Sequence, residues 1–132
     1  MIKVDFQYNG IVCSDLEIVK SFVDGILKKI KPIINDENIM FDVRLILNEL
    51  IVNGVMPGNK CISSKCVKLL LEIKDQQIKI QVEDEGQGIN YDLVSYDPEK
   101  LSFCGRGLVL VDGLSDELYV QENKVTAVKQ LS

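Results

Sequence analysis

The spacing of the apolar residues switches from a helical period to strict alternation across Pro57-Gly58-Asn59, and this switch limits the folds open to the chain. Before it, apolar residues from Leu16 to Ile30 recur every three or four positions, which is typical of an amphipathic helix. A second helix is predicted from Asn35 to about Met56. After the switch, alternating apolar residues predict strands with one buried face. The chain therefore combines helices with a sheet.

The flanking segments complete this outline. Alternation from Ile2 to Tyr8 predicts an N-terminal strand, and Ser14 with Glu17 predicts a capping box that opens the first helix. Alternating segments on both sides of Asp75-Gln76 predict a β-hairpin. Residues 85–107, rich in Gly, Asp and Ser, predict a long loop of the kind that usually has a function.

The end of the chain predicts a short helix over Leu108–Leu114 and two strands, near Glu117–Gln121 and Val125–Leu131. The order β-α-α-β-β-loop-α-β-β favours an α/β (α+β) fold, a two-layer sandwich with helices on one face of a mostly antiparallel mixed sheet. We expect a single domain over residues 1–132.

Composition excludes several classes of function. The net charge of −5 disfavours a nucleic-acid partner, since phosphates are bound by Lys and Arg. The chain has no histidine, which excludes Ser-His-Asp triads and histidine-bound metals. No run approaches the roughly 20 apolar residues of a membrane span. The spacing of the 4 cysteines matches no zinc site and is typical of small buried residues in a reducing cell, with a redox role as the less favoured alternative. We expect a cytoplasmic protein with no membrane partner.

The second predicted helix carries a polar stripe. Glu49 and Asn53 are four residues apart and share one face, and Asp42 precedes them on the same stripe. The stripe could simply be solvated, as most charged helix positions are. Alternatively it lines a pocket, in which Glu49 acts as a general base and Asn53 offers a neutral oxygen to a hard cation.

Asp84 continues the parity of Ile78, Ile80 and Val82, so its carboxylate is predicted on the buried face at the end of a strand. It precedes Glu85-Gly86-Gln87-Gly88, where glycine permits tight turns and close approach of a ligand. Asp84 either caps this turn or accepts a hydrogen bond from an amino group of a ligand.

Gly105-Arg106-Gly107-Leu108 closes the long loop and is predicted to open the following helix. Such a start is either an ordinary glycine-containing helix start or an anion site, where free backbone N–H groups bind phosphate. The chain contains neither the G-x-x-x-x-G-K-[S/T] loop nor a strand followed by G-x-G-x-x-G.

Together, Glu49-Leu50-Ile51-Val52-Asn53, Asp84-Glu85-Gly86-Gln87-Gly88 and Gly105-Arg106-Gly107-Leu108 resemble the N, G1 and G2 boxes of the GHKL ATPase superfamily. The short domain and the segment through Ser115-Asp116-Glu117 look most like the anti-sigma factor serine/threonine-protein kinases. The resemblance implies ATP and Mg²⁺ as cofactors. It also implies phosphorylation of an anti-anti-sigma protein and sequestration of a sigma factor.

The resemblance also implies a role for each matching residue. Glu49 would be the catalytic base, Asn53 the Mg²⁺ ligand and Asp84 the partner of the adenine amino group. Gly86 and Gly88 would shape the adenine pocket, and residues 89–104 would form the ATP lid. The phosphates would contact four consecutive residues, Gly105, Arg106, Gly107 and Leu108.

Two places depart from the family's pattern. Pro57-Gly58 stands where the family often has His-Gly, and the last strand lacks the usual Gly-Thr. Asn123 or Thr126 could substitute there, and Thr126 is counted among the predicted nucleotide-binding residues. Two alternatives stay open: a nucleotide-binding regulatory module without catalysis, and a histidine-kinase-type catalytic domain. The N-terminal strand could also pair across a homodimer if it lies at a sheet edge.

Overall fold

A computed structural model describes residues 5–55, 65–85 and 103–131, with side chains for all of these except residues 103–108. The elements in this part of the chain follow the predicted order. They are β1 (Phe6–Cys13), α1 (Leu16–Ile30), α2 (Glu37–Asn53), β2 (Cys66–Lys74), β3 (Gln77–Glu83), α3 (Phe103–Leu114), β4 (Glu117–Gln121) and β5 (Lys124–Gln130).

The strands form one five-stranded sheet in the order β1-β2-β3-β5-β4. Each of the four neighbouring pairs is antiparallel. The predicted hairpin at Asp75-Gln76 is confirmed, and both residues have a positive φ, of 54° and 60°. Positive φ at two successive positions is what the tight type I′ turn requires. β1 and β4 are the edge strands, so the pairing of β1 across a homodimer stays a prediction.

The core lies between the sheet and the helices. On β2, Val67, Leu69, Leu71 and Ile73 are each at most 2% exposed, whereas the alternate residues of this strand are more accessible. α1, α2 and α3 bury their apolar faces in the same cluster, through residues such as Ile26, Leu47 and Val111. The predicted two-layer α+β architecture is therefore confirmed. No described helix has the length and apolar composition needed to cross a bilayer.

The start of the first helix differs from the prediction. Asp15, not Ser14, is the N-cap, and its carboxylate accepts a hydrogen bond from the Glu17 N–H at 2.9 Å. Ser14 is 1% exposed, and its hydroxyl donates to the Lys65 carbonyl at 2.7 Å. The predicted Ser14–Glu17 capping box is wrong, because a partner 51 residues away holds the serine at the end of the β1–β2 ladder.

Two other boundaries move. α2 starts after Asp36, as predicted, but its regular part ends at Asn53 and a wider π-type turn follows at residues 54–55. α3 begins at Phe103, so the last helix is longer than predicted and includes the end of the predicted loop. The predicted positions 2, 4, 57–59 and 86–102 lie outside the described residues.

Candidate functional site

Asp84 lies at one end of the sheet, which we call the Asp84 end. The register places Cys13, the last residue of β1, opposite Cys66, the first residue of β2. It also places Glu83, the last residue of β3, opposite Lys124, the first residue of β5. Asp84 follows β3 directly, so its position marks this end of the sheet.

The C-terminal end of α2 packs against the Asp84 end because Gly54 has no side chain. A Cβ at Gly54 would lie 3.1 Å from Val67 Cγ1 and 3.5 Å from Val82 Cγ1. Both contacts are at or below ordinary van der Waals distance, so glycine is what lets the helix end approach β2 and β3 this closely. Val82 precedes Asp84 by two residues on the same face. Asn53, next to Gly54, therefore lies over the Asp84 end.

The side-chain amide of Asn53 is buried at the C-terminal end of α2. The residue is 3% exposed, and neither Oδ1 nor Nδ2 has a partner among the described residues. An amide buried in this way costs folding free energy, and most buried polar groups are paired. This amide, unpaired among the described residues, indicates a site at which a bound ligand would supply the missing hydrogen-bond partners. Its oxygen suits Mg²⁺, which prefers oxygen ligands and takes few of them from the protein.

Glu49 lies one helical turn before Asn53 on the same face of α2 and is half-buried. A carboxylate in this position can accept a proton from a group bound beside Asn53. The described residues contain no cluster of three or more Cys, Asp or Glu side chains that could bind a metal ion. Within the described residues, the Asn53 oxygen is the candidate ligand for a metal ion.

The third polar residue of the predicted stripe, Asp42, has a different role. Its Oδ2 lies 3.3 Å from Lys129 Nζ, and this ammonium group also donates to the Leu114 carbonyl at 2.9 Å. Lys129 therefore joins the first half of α2 to the C-terminal end of α3. Sequence reasoning did not identify this link, because its three members are far apart along the chain.

This link fixes the direction of α3. Leu114, its last residue, lies near Asp42, while β4 starts only three residues later at the opposite end of the sheet from Asp84. α3 therefore runs antiparallel to α2, and its N-terminal end points toward the Asp84 end and Asn53. Gly105-Arg106-Gly107-Leu108 lie in the first turns of α3 rather than before it, and their side chains lie outside the described residues. Backbone N–H groups in the first turn of a helix bind anions well.

Asp84 is held in place by its backbone. It is 6% exposed, and its N–H donates to the Asn123 carbonyl at 3.0 Å. In return, the Asn123 side-chain amide donates to the Asp84 carbonyl. Asn123 lies in the β4–β5 turn, so this turn positions the strand end that carries the predicted adenine-binding carboxylate. The sequence alone indicates Asn123 only as one of two residues that could substitute for the family's Gly-Thr.

Thr126 is not brought together with these residues. It pairs with Gln81 across β3 and β5, and its hydroxyl lies 3.3 Å from Gln81 Oε1. Gln81 alternates with the buried Ile80 and Val82, so Thr126 lies on the face of the sheet away from the helices. The residue of β5 that faces the core beside Val82 is Val125, which is 8% exposed. The structure thus favours Asn123 over Thr126 as the residue that the β4–β5 region contributes to the candidate site.

The predicted adenine-pocket glycines, Gly86 and Gly88, lie outside the described residues. The same holds for the predicted lid, residues 89–104, except that residues 103 and 104 form the start of α3. A separate cleft of about 650 Å³ lies between α1 and α2 at the other end of the molecule, lined by residues such as Phe41 and Arg44. It contains none of the candidate residues.

Comparison with known proteins agrees with this arrangement. Residues 17–129 match the family described as the histidine kinase-like ATPase domain. An anti-sigma F factor of Clostridium perfringens strain SM101 is 28% identical over 114 residues, which cover 80% of this chain and 79% of the relative. The anti-sigma F factor of strain 13 is 27% identical over 113 residues, covering 81% and 78%. Because the family match spans most of its length, the chain belongs to the histidine kinase-like ATPase domain family.

Proposed function

We propose that this protein binds ATP with Mg²⁺ at the Asp84 end of the sheet and is a serine/threonine protein kinase of the anti-sigma factor type. Its phosphoacceptor would be a serine of an anti-anti-sigma protein, and it would also sequester a sigma factor. The family match and the anti-sigma F factors among its relatives support this proposal. The observation that carries it is the buried Asn53 amide, which lacks partners among the described residues and lies one turn from Glu49.

Each residue has one task in this reaction. The Asp84 carboxylate accepts a hydrogen bond from the adenine amino group, and the first turn of α3 binds phosphate oxygens through backbone N–H groups. Mg²⁺, bound through the Asn53 oxygen, would neutralise charge on the phosphates. Glu49 accepts the proton of the serine hydroxyl as the serine oxygen bonds to the γ-phosphorus. The bond from that phosphorus to the β–γ bridging oxygen breaks, and ADP leaves.

The test is transfer of labelled phosphate from ATP to a purified anti-anti-sigma protein. Glu49→Gln keeps the size of the side chain and removes the base, so transfer should fall by at least about 10²-fold. Glu37→Gln is the matched control, because it makes the same change at an exposed position on the same helix. Unchanged transfer by Glu49→Gln would refute the role of Glu49.

Nucleotide binding is tested separately by titration with Mg-ATP and Mg-GTP. We expect a preference for ATP, because an Asp84 carboxylate accepts a hydrogen bond from the adenine amino group, whereas guanine presents a carbonyl at the equivalent position. Asp84→Asn should weaken ATP binding by about tenfold or more, as expected when a charged hydrogen bond is lost. ATP binding that is unaffected by Asp84→Asn would contradict the adenine assignment.

A nucleotide-binding regulatory module without phosphoryl transfer is the second candidate. The position of Thr126 favours this second candidate. Its hydroxyl lies on the face of β5 away from the helices, and the residue that β5 directs toward the core is the apolar Val125. Normal ATP affinity together with sigma-factor binding and no transfer to any serine of an anti-anti-sigma protein would support this candidate over the kinase.

A further inference from the structure

Two cysteines face each other across the β1–β2 pair at the Asp84 end. The register places Cys13 directly opposite Cys66, and the structure holds both as thiols. Cys13 is exposed and Cys66 is half-exposed, so the predicted role of these two as small buried residues is wrong. Both lie on the face of the sheet away from the helices, because they alternate with the buried Val12 and Val67.

The hydrogen-bond pattern shows which kind of pair this is. The next pair along the ladder, Ser14 and Lys65, is joined by a hydrogen bond from the Ser14 N–H to the Lys65 carbonyl at 3.2 Å. Hydrogen-bonded and non-hydrogen-bonded pairs alternate in an antiparallel ladder, so Cys13 and Cys66 form a non-hydrogen-bonded pair. In agreement, the Cys66 N–H points the other way and donates to the Glu85 carboxylate.

This geometry is compatible with a disulfide bond. In a non-hydrogen-bonded pair, the two Cα atoms lie about 4.5 Å apart with their side chains on the same face. Disulfide-bonded cysteines span Cα separations from about 4.4 to 6.8 Å, so the bond can close without moving the strands apart.

We propose that Cys13 and Cys66 are an oxidative modification site, at which a low-molecular-weight disulfide oxidises both thiols to a Cys13–Cys66 disulfide that joins β1 to β2. One cysteine thiolate attacks a sulfur of that disulfide and displaces one thiol, which leaves a mixed disulfide on the protein. The second thiolate attacks the protein sulfur of the mixed disulfide and releases the second small thiol. Two protein thiols are oxidised and one small disulfide is reduced to two thiols.

The bond would restrain one of the two edge strands of the sheet. β1 is an edge strand held by a neighbour on one side only, and Cys13 is its last residue. The bond would also hold Cys66, whose N–H contacts Glu85 beside Asp84. Because Cys13 is exposed and Cys66 is partly exposed, we expect small thiols to reverse the modification. This site does not depend on ATP binding, so it can be tested whether or not the proposed function is correct.

The experiment uses the full chain with Cys61→Ser and Cys104→Ser, so that only this pair remains. The protein is equilibrated with mixtures of glutathione and glutathione disulfide, and free thiols, intact mass and cross-linked peptides are measured. We expect the loss of both thiols, a mass lower by about two hydrogen atoms, and one peptide containing Cys13 joined to Cys66. Hydrogen exchange of the β1 amides should slow in the oxidised protein.

Cys66→Ser in the same background is the matched control, and it should retain glutathione on Cys13 without closing a bond. A persistent glutathione adduct in the protein that contains both cysteines would overturn the proposal. So would oxidation of the natural chain that joins Cys66 to Cys61 or Cys104 and leaves Cys13 as a thiol. Reduction by glutathione should restore both thiols and the original exchange rates.

Discussion

Asn123 and Asp84 are joined by two hydrogen bonds although they lie 39 residues apart in the chain. The Asp84 N–H donates to the Asn123 carbonyl at 3.0 Å, and the Asn123 side chain donates to the Asp84 carbonyl. The first bond uses only backbone atoms and would survive a change of the side chain. The second depends on the amide of Asn123, so it can be removed without altering Asp84 itself.

Asn123→Ala should weaken both the fold and adenine binding. Loss of this part-buried hydrogen bond costs about 1 kcal/mol in the free energy of unfolding. Since the turn would no longer restrain the end of β3, we also expect ATP affinity to fall by about tenfold, a loss of about 1.4 kcal/mol. Urea unfolding and ATP titration measure the two effects.

Gln121→Ala is the control for this change, because it removes an exposed amide at the end of β4 in the same hairpin. It should leave both quantities nearly unchanged. Loss of stability in Asn123→Ala with full ATP affinity would mean that the asparagine supports the turn and does not position Asp84.

Local patterns in the sequence predicted much of this molecule. Alternation of apolar residues and a short polar turn are sufficient to place β2 and β3. Asp36 is recognisable as the N-cap of α2 because it lies directly before the helix that it caps. The shared face of Glu49 and Asn53 also follows from helical periodicity alone. These parts of the fold and site required no knowledge of distant contacts.

Where the structure departs from local sequence patterns, contacts between distant residues are the cause. Ser14 and Asp15 are both good capping residues, and the choice is made by Lys65, which lies 51 residues away. Helical periodicity places Asp42 on the stripe of Glu49 and Asn53, but in the fold its carboxylate pairs with Lys129. Thr126 fits a family pattern by composition, but the register of β5 turns it to the other face. No local pattern contains this information.

Asn53→Leu should stabilise the protein and abolish Mg-ATP binding. The buried amide lacks hydrogen-bond partners among the described residues, so an apolar side chain of similar size removes a desolvation cost of about 1 kcal/mol. The same change removes the proposed oxygen ligand. The free energy of unfolding, measured in urea without nucleotide, should therefore rise, while the affinity measured by Mg-ATP titration should fall.

The matched control is Asn48→Leu, the same substitution at an exposed position on α2. It should change neither quantity appreciably. If Asn53→Leu instead lowered stability and left Mg-ATP affinity intact, the amide would have a structural role and the ligand assignment would be wrong.

Lys129→Met should destabilise the packing of α3 against α2. Lys129 has a side chain only 16% exposed, and it contacts both the Asp42 carboxylate and the Leu114 carbonyl. Loss of a partly buried charged hydrogen bond costs about 1.5 kcal/mol, measured as the free energy of unfolding in urea. Lys124→Met is the control, since its 3.6 Å pair with Glu83 is more exposed and is worth at most about 0.5 kcal/mol. Equal losses in both variants would contradict this account.

Gln76→Gly should stabilise the β2–β3 hairpin. Gln76 has φ of 60°, a region in which a residue with a Cβ is strained and glycine is not. The carbonyl of residue 76 accepts the Leu131 N–H at 2.8 Å, and this backbone bond does not depend on the side chain. Relief of strain offsets the greater freedom of glycine in the unfolded chain, so we expect a net gain of about 0.5–1 kcal/mol. Lys74→Gly, one residue before the turn in β2, should instead lose a similar amount, because a strand position gains nothing from glycine. Urea unfolding of both variants distinguishes relief at the turn from a general effect of glycine, and a loss of stability in Gln76→Gly would refute it.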